Sequence, residues 1–171
     1  MTTRLVGLLF AFSAFFSSFV HAEESMFTQT HGRSCTDRSR AEFTSWRCAG
    51  PNGYVSEFGD DGNIVTLAIW TPRHQLRAAR AVTWRGAGRA FGEKLQWRAN
   101  NGQPIAAILR IWRVDVTQDG QEREVSELLV MKIAPAGSCR VASVDARQAS
   151  ANEIALTLSG RAPSLPCLQD Q

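Results

Sequence analysis

The side chains of this sequence that could do chemistry are few, and four of them are cysteines. Cys35, Cys48, Cys139 and Cys167 are the only cysteines among the 171 residues. In an oxidising compartment an even number of cysteines indicates disulfides, and four cysteines allow three connectivities. We expect Cys35 to pair with Cys48 and Cys139 with Cys167, because each bond then closes a short segment around one local structural unit.

A metal site is the alternative use of these cysteines, and the spacing does not favour it. No two of them have the two-residue separation of a zinc knuckle, and neither His31 nor His74 lies beside a Cys-x-x-Cys pair. Residues 60–63, Asp-Asp-Gly-Asn, lack the glutamate at the twelfth position of a calcium loop and instead predict a hairpin turn with positive φ at Gly62. We therefore expect no metal and no cofactor.

Catalytic motifs are also missing from the sequence. A Ser-His-Asp arrangement would have to use His31 or His74, and neither Gly-x-Ser-x-Gly nor His-Glu-x-x-His occurs. A carboxylate pair for glycosidic hydrolysis is the remaining alternative, and nothing in the sequence selects two members. We assign no catalytic residue. The acidic residues from which a pair could be drawn are Glu57, Asp60, Asp115, Glu127 and Asp145.

Tryptophan followed directly by arginine recurs at Trp46, Trp84, Trp97 and Trp112. Neighbouring residues of a strand point to opposite faces, so the sheet separates ring from guanidinium. Around Trp112 both faces carry apolar bulk, which is typical of a central strand covered on both sides. The alternative is an exposed aromatic and basic platform for a glycan or an acidic partner. The candidate binding residues of such a platform are Trp112, Arg110 and Arg98.

Consecutive antiparallel strands are the main elements that the pattern predicts. Residues 94–134 hold three runs rich in β-branched and aromatic residues, parted by Asn-Asn-Gly-Gln-Pro and Gln-Asp-Gly-Gln. The glycines of residues 86–92 are expected to form bends or bulges. We predict a mainly β or α+β fold, an antiparallel meander forming a twisted sheet or small barrel. Further strands are expected at residues 43–48, 54–58, 64–70, 81–85 and 138–145.

A single helix is predicted near the end of the chain. Residues 148–158 follow a helical stripe, Gly160 is placed as a stop signal, and Pro163 forbids continuation. Asp145 ends the preceding strand, where it could cap the helix or be a buried partner for an arginine such as Arg147. The C-terminal disulfide would then close strand, helix and tail into one unit.

The start of the chain predicts export. Residues 1–22 combine a basic Arg4, an apolar run and a Val-His-Ala cleavage site, as in a signal peptide. An uncleaved anchor is the alternative, although the run is short for a membrane span. Residues 23–41 are polar and lack a period, so we expect an N-terminal arm there, followed by a single β-rich domain at 42–171.

The charge balance excludes two classes of partner. Beyond residue 22 the chain carries 18 basic and 16 acidic residues, because Arg4 is the only charged residue before Glu23. Such a balance predicts no nucleic-acid binding and no stable membrane association after cleavage of the signal.

Four segments together resemble those of small exported proteins of alphaproteobacteria, a family without an assigned function. They read Trp-Arg-Cys-Ala-Gly-Pro at 46–51, Trp-Arg-Gly-Ala-Gly at 84–88, Ala-Ala-Ile-Leu-Arg-Ile-Trp-Arg at 106–113 and Cys-Arg-Val-Ala-Ser-Val-Asp-Ala-Arg at 139–147. The resemblance spans most of the chain beyond residue 22 and implies a place in the cell envelope, with no site residues to carry over. A lesser likeness is to periplasmic lysozyme inhibitors, whose Ser-Gly-x-x-Tyr segment this chain lacks.

These observations together predict a periplasmic or secreted protein that binds rather than catalyses. We expect a non-catalytic binding or inhibitory module for a periplasmic protein or an envelope glycan. The alternatives are a carboxylate-dependent hydrolase and a purely structural envelope protein.

Overall fold

The computed structural model describes residues 24–72, 81–135 and 137–168. The predicted signal peptide and His74 lie outside these residues. The described residues form nine strands and one α-helix, with short 3-10 turns at Pro51–Gly53 and Ala162–Ser164. The bounds are β1 Glu24–Gln29, β2 Cys35–Asp37, β3 Thr44–Ala49, β4 Val55–Asp60, β5 Ile64–Trp70, β6 Val82–Asn100, β7 Gln103–Val116, β8 Glu122–Ala134, β9 Gly137–Asp145 and α1 Ala151–Arg161.

The strands form one antiparallel sheet that is folded about β6. The strand order runs from β2 to β9 in chain order, and β1 pairs separately with β6. The first residues of β6 pair with β5, whereas Lys94 to Ala99 pair with β1 on the same edge. We call β2–β5 with the start of β6 the first half-sheet, and β1 with the rest of β6 and β7–β9 the second half-sheet. The sheet does not close on itself, so the open form of the predicted meander is the one observed.

The two half-sheets pack face to face around an aromatic core. Phe91 lies in β6 between two register shifts, which are the bulges that the glycines predicted. Its ring centroid is 5.1 Å from that of Phe58, 5.4 Å from Trp84 and 5.7 Å from Trp46, each in an edge-on arrangement. Such edge-to-face contacts add to the stabilisation from burial. The core thus joins β3, β4 and β6 across the fold.

The outer face of the second half-sheet is covered by α1. Ala151 and Ala155 of the helix pack into a second apolar cluster with Ile108 of β7, Leu128 of β8 and Val144 of β9. Meanwhile Leu109 and Ile111 of β7 face the aromatic core. The strand that contains Trp112 is therefore central and covered on both sides, as its sequence predicted.

The predicted polar arm is wrong for the described part of residues 23–41. β1 pairs with β6 at six positions, and β2 pairs with β3. The inward side chains of this segment are Met26, Thr28 and Thr30; Thr30 is buried and donates to the carbonyl of Gly92 over 2.6 Å. Threonine hydroxyls bury well where an acceptor is present. Because two of these inward residues are threonines, a search for alternating apolar residues does not detect the strand.

Both expected disulfides are present, Cys35 with Cys48 and Cys139 with Cys167. Such bonds are typical of proteins that fold outside the reducing cytosol. The first joins directly opposite residues of β2 and β3. The second holds the tail, where the amide of Leu168 also donates to the carbonyl of Arg140 over 2.8 Å. The predicted C-terminal unit of strand, helix and disulfide-bonded tail is thus confirmed.

The predicted helix is displaced by three residues. Two turns, closed by the backbone amides of Gln148 and Ala151, lead into the helix. The helix then passes through Gly160 to Arg161, where the 3-10 turn that contains Pro163 follows. Gly160 is therefore not a stop signal, because the proline ends the helix. The predicted strand at residues 64–70 is confirmed at both ends, and Gly62 has φ of +88° in the turn before it.

Among residues 24–72, 81–135 and 137–168, no helix has the length and apolar character needed to cross a membrane.

Candidate functional site

The structure separates the residues of the predicted Trp112 platform. Trp112 and Arg110 lie on the helix side of β7 and are partly buried, and the Arg110 guanidinium donates to Ser126 Oγ at 3.4 Å. Arg98 shares this face but is opposite Ala106, six positions before Trp112. At about 3.4 Å per residue, that places Arg98 roughly 20 Å from Trp112. Binding at Trp112 stays a prediction, and it would not involve Arg98.

Three of the predicted carboxylates do come together, at the end of β7–β9. Arg113 bridges two of them, donating to Glu127 Oε1 at 2.8 Å and to Asp115 Oδ1 at 3.3 Å. Arg123 donates to the other oxygen of Asp115 at 2.8 Å. Hydrogen bonds from Arg123, then from Arg113, lower the pKa of Asp115. Arg113 and Arg123 thus link Glu127 and Asp115 in one surface network.

Asp145 completes the group, since it lies opposite Glu127 on β9. Its side chain accepts from Arg147 Nη2 at 2.7 Å, which confirms the predicted pairing, although the pair is exposed rather than buried. The hydrogen bonds from Arg147 lower the pKa of Asp145 from 3.8 to about 2. A glycosidase needs one carboxyl whose pKa is raised so that it can donate a proton. Asp115 and Asp145 are shifted in the opposite direction.

We expect the Asp145 carboxyl to titrate with a pKa of about 2. Because the folded-state pKa is lowered, the Arg147 pair contributes to stability above the ordinary value of 3.8, and this contribution is lost as the pH falls through about 2. Carbon-detected NMR titration of the side chain measures the midpoint. In the Arg147→Gln variant the midpoint should rise toward 3.8, and an unchanged midpoint would refute this cause.

The remaining predicted carboxylates, Glu57 and Asp60, lie on the first half-sheet, and Asp60 serves a turn by accepting the amide of Gly62 at 2.7 Å. Within the described residues no group of three or more His, Cys, Asp or Glu side chains is arranged to hold a metal ion. His31 is exposed, with its ring Nδ1 3.2 Å from Thr30 Oγ1.

A different surface concentrates cationic and aromatic side chains, namely the outer face of the first half-sheet. We define the arginine face by five side chains: Arg38, Arg40, Phe43, Arg47 and Trp70. Strand alternation places Arg47 of β3 and Trp70 of β5 outward, while Trp46 and Ile69 turn into the core. The arginine that follows Trp46 thus meets the one tryptophan that no arginine follows.

Arg47 is held at the centre of the arginine face by two contacts. Its guanidinium carbon lies 4.7 Å from the centroid of the Trp70 ring, and its Nε donates to Glu57 Oε2 at 2.8 Å. Arginine over an indole is favourable by about 0.5–1 kcal/mol at an exposed site. The Trp70 indole N–H is buried and has no hydrogen-bond partner among the described residues.

Arg38 and Arg40 flank this stack on a rigid turn. Arg40 and Phe43 exchange both backbone hydrogen bonds, at 2.9 and 2.7 Å, and the amide of Arg38 donates to the carbonyl of Ser45 at 2.8 Å. The ring of Phe43 rests on Gly59, where any Cβ would collide with it. Both arginine side chains are exposed, and no carboxylate of the described chain forms an ion pair with either.

Two shallow recesses adjoin on the arginine face and share Arg38 and Arg47. Their volumes are about 290 Å³ and 350 Å³. Trp70 lines the first, Arg40 and Phe43 line the second, and Glu57 is the one acidic residue among the described lining side chains. The surface therefore has an excess of positive charge with two guanidinium groups uncommitted.

No protein-family model, curated protein or solved structure matches this chain.

Sequence reasoning missed the arginine face, although one signal for it exists. Residues 64–70 are apolar except for Thr66, which predicts a strand covered on both sides. The inner face is covered by the core, but Ile64 and Trp70 on the outer face remain partly exposed. An apolar outer face without a covering element marks an interaction surface. The arginines of β3 and of the preceding turn reach it only through strand pairing.

Proposed function

We propose that this protein is an exported, non-catalytic binding module that holds a carboxylate-bearing glycan of the cell envelope on the arginine face. The observation that carries the proposal is the pair of uncommitted guanidinium groups, Arg38 and Arg40, beside the Arg47–Trp70 stack. Arginine presents a planar fork of donors that matches a carboxylate in a bidentate arrangement. The predicted signal peptide and the two disulfides support an oxidising location.

The shape of the surface favours a glycan over a folded protein as the ligand. The two recesses are near the lower end of the 300–1,000 Å³ range, roughly, that small ligands occupy, and they lie in line on one face. Each combines a flat ring, Trp70 or Phe43, with an arginine. Sugar rings carry an apolar C–H face that packs on an aromatic ring, and an acidic sugar adds the carboxylate. A linear acidic polymer would thus fill both recesses with successive units.

Arg47 can exchange partners when such a ligand arrives. Glu57 holds it in the free protein, and both side chains are only partly exposed, at 35% and 27%. A ligand carboxylate can take one edge of the guanidinium while Glu57 keeps the other, because the guanidinium carries five N–H donors. The free site therefore holds an arginine already oriented for an anion.

Calorimetric titration with polygalacturonate, an acidic polysaccharide, tests the proposal against dextran as a neutral one. We expect saturable binding of the first alone, weakening as salt is raised. Arg38→Gln and Arg40→Gln should each weaken binding by roughly tenfold, because each removes a charge-assisted hydrogen bond. Arg161→Gln is the matched control, since it removes the same charge from the exposed end of α1, and it should change the affinity by less than about twofold.

Three results would overturn the proposal. Equal weakening by all three substitutions would mean that only net charge matters. Equal binding of dextran would remove the role of the carboxylate. Tighter binding of polyglutamate, lost in the same two variants, would assign the face to an acidic protein segment instead of a glycan.

A further inference from the structure

A cavity lies at one end of the fold, apart from the residues of the arginine face. Its volume is about 620 Å³, within the range typical of small-molecule sites. It opens between the turn that follows β3, the end of β5, the β6–β7 turn and the end of β8. We call it the end cavity. The described lining residues are Asn52, Tyr54, Thr71, Pro72, Asn101, Gly102, Gln103, Pro104, Ile133, Ala134 and Pro135.

The rim of the end cavity is built from two linked Asn-Gly turns. Asn52 and Asn101 both have left-handed φ, at 52° and 50°, and each is followed by a glycine with positive φ. The Asn52 side-chain amide donates to the carbonyl of Gly102, which ties one turn to the other. Non-glycine residues in this conformation are uncommon and persist where the surroundings fix them. The rim is thus preorganised before any ligand enters.

The wall behind the rim is equally fixed. The Tyr54 ring stands edge-on to Trp97, with 6.3 Å between centroids, and its backbone amide and carbonyl bond to Pro51 and Gly50. Gly50 is required there, because a Cβ would come within 2.7 Å of the Trp97 ring. A cavity whose walls are held by core packing costs little ordering when it binds.

The lining chemistry selects a neutral ligand with both polar and apolar parts. No Asp, Glu, Lys, Arg or His is among the described lining residues, so this part of the wall offers a charged ligand no counter-ion. Asn52, Asn101 and Gln103 carry amides that donate and accept, as hydroxyl and acetamido groups do. Tyr54 and three prolines supply flat apolar surface. From this lining we infer that the end cavity binds an uncharged sugar unit, a hexose or N-acetylhexosamine.

This inference goes beyond the arginine face and does not depend on it. The two sites use different residues and suit different ligands. The cationic arginine face suits an acidic sugar, whereas the end cavity suits a neutral one. They are close in the chain, since Trp70 of one recess is followed by Thr71 and Pro72 of the cavity. A glycan with both acidic and neutral units could therefore contact both.

Side-chain amide resonances provide the test. Glucose and N-acetylglucosamine are titrated into the protein while the NH₂ signals of Asn52, Asn101 and Gln103 are followed by nitrogen-15 NMR, with glucuronate as the charged counterpart of glucose. We expect saturable shifts with the neutral sugars and weaker ones with glucuronate. Gln103→Ala should weaken neutral-sugar binding by roughly five- to tenfold, the loss of one or two hydrogen bonds.

Two further variants make the result specific. Gln118→Ala, in the exposed turn between β7 and β8, is the matched control and should leave the affinity unchanged. Asn52→Gly keeps the left-handed turn while removing the amide, so it should weaken binding without unfolding the protein. No shift with either neutral sugar, equal affinity in Gln103→Ala, or tighter binding of glucuronate at these amides would overturn the inference. None of these results concerns the Arg38 and Arg40 variants, so either proposal can be refuted without the other.

Discussion

Replacing Trp97 with alanine should lower the free energy of unfolding by about 3–5 kcal/mol. The side chain is fully buried in the second half-sheet, where β6 pairs with β1 and β7. Its indole N–H donates to Thr28 Oγ1 at 2.8 Å, and its ring contacts Tyr54 and the backbone at Gly50. The substitution therefore empties a large volume and also removes the donor from the partly buried Thr28 hydroxyl.

Urea denaturation measures the loss, provided that the slope with denaturant stays the same. Trp112→Ala is the control, because it deletes the same side chain from a partly buried position on the helix side of β7. Its effect should be less than half as large. Losses of equal size would contradict the assignment of Trp97 to the centre of the core.

The Cys139–Cys167 disulfide should contribute about 3–4 kcal/mol, and the double variant Cys139→Ser with Cys167→Ser should lose that amount. The bond closes a segment with a sequence separation of 28, which contains the end of β9, all of α1 and the 3-10 turn. Without it the tail that follows α1 is held by fewer contacts, among them the Leu168 amide bond to Arg140 and the Lys132 ammonium bonds to Pro163 and Leu165.

Hydrogen exchange distinguishes this loss from a general one. In the variant, the amides of α1 should lose protection before those of β7 and β8, because the helix then opens locally. Cys35→Ser with Cys48→Ser is the matched control. Its separation of 13 predicts a loss of roughly 3 kcal/mol, and α1 should keep its relative protection. Retained protection of α1 in the first variant would show that the helix does not depend on the Cys139–Cys167 disulfide.

Local signals were strong enough to predict most of the sheet and both disulfides. β5 was bounded correctly because an Asp-Gly turn precedes its apolar run and Pro72 follows it. β1 was missed because Thr28 and Thr30, the inward residues at and just after its end, are polar, and their partners, the Trp97 indole N–H and the Gly92 carbonyl, lie more than 60 positions away along the chain. The expectation that the helix stops at Gly160 was wrong for a related reason. α1 packs against β7, β8 and β9, and these contacts favour the helical conformation up to Arg161.

The candidate sites could not be predicted from sequence, because pairing between strands creates them. Arg38 and Arg40 lie in a segment without any period, and only the successive pairings of β2, β3, β4 and β5 bring them to the same face as Arg47 and Trp70. Binding at the Trp112 platform stays a prediction, and strand pairing also determines how far apart its residues lie. Trp112 and Arg98 share one face, but the length of β7 separates them. Alternation determines which face a residue occupies, whereas register determines its neighbours.

The 19-residue strand β6 belongs to both half-sheets, with β5 and β1 along one edge and β7 along the other. Neither half-sheet can come apart at β6 without exposing the aromatic rings that the other half relies on, since Phe91 and Trp97 are both carried by that strand. Unfolding should accordingly behave as a single all-or-none event rather than as the melting of two independent layers.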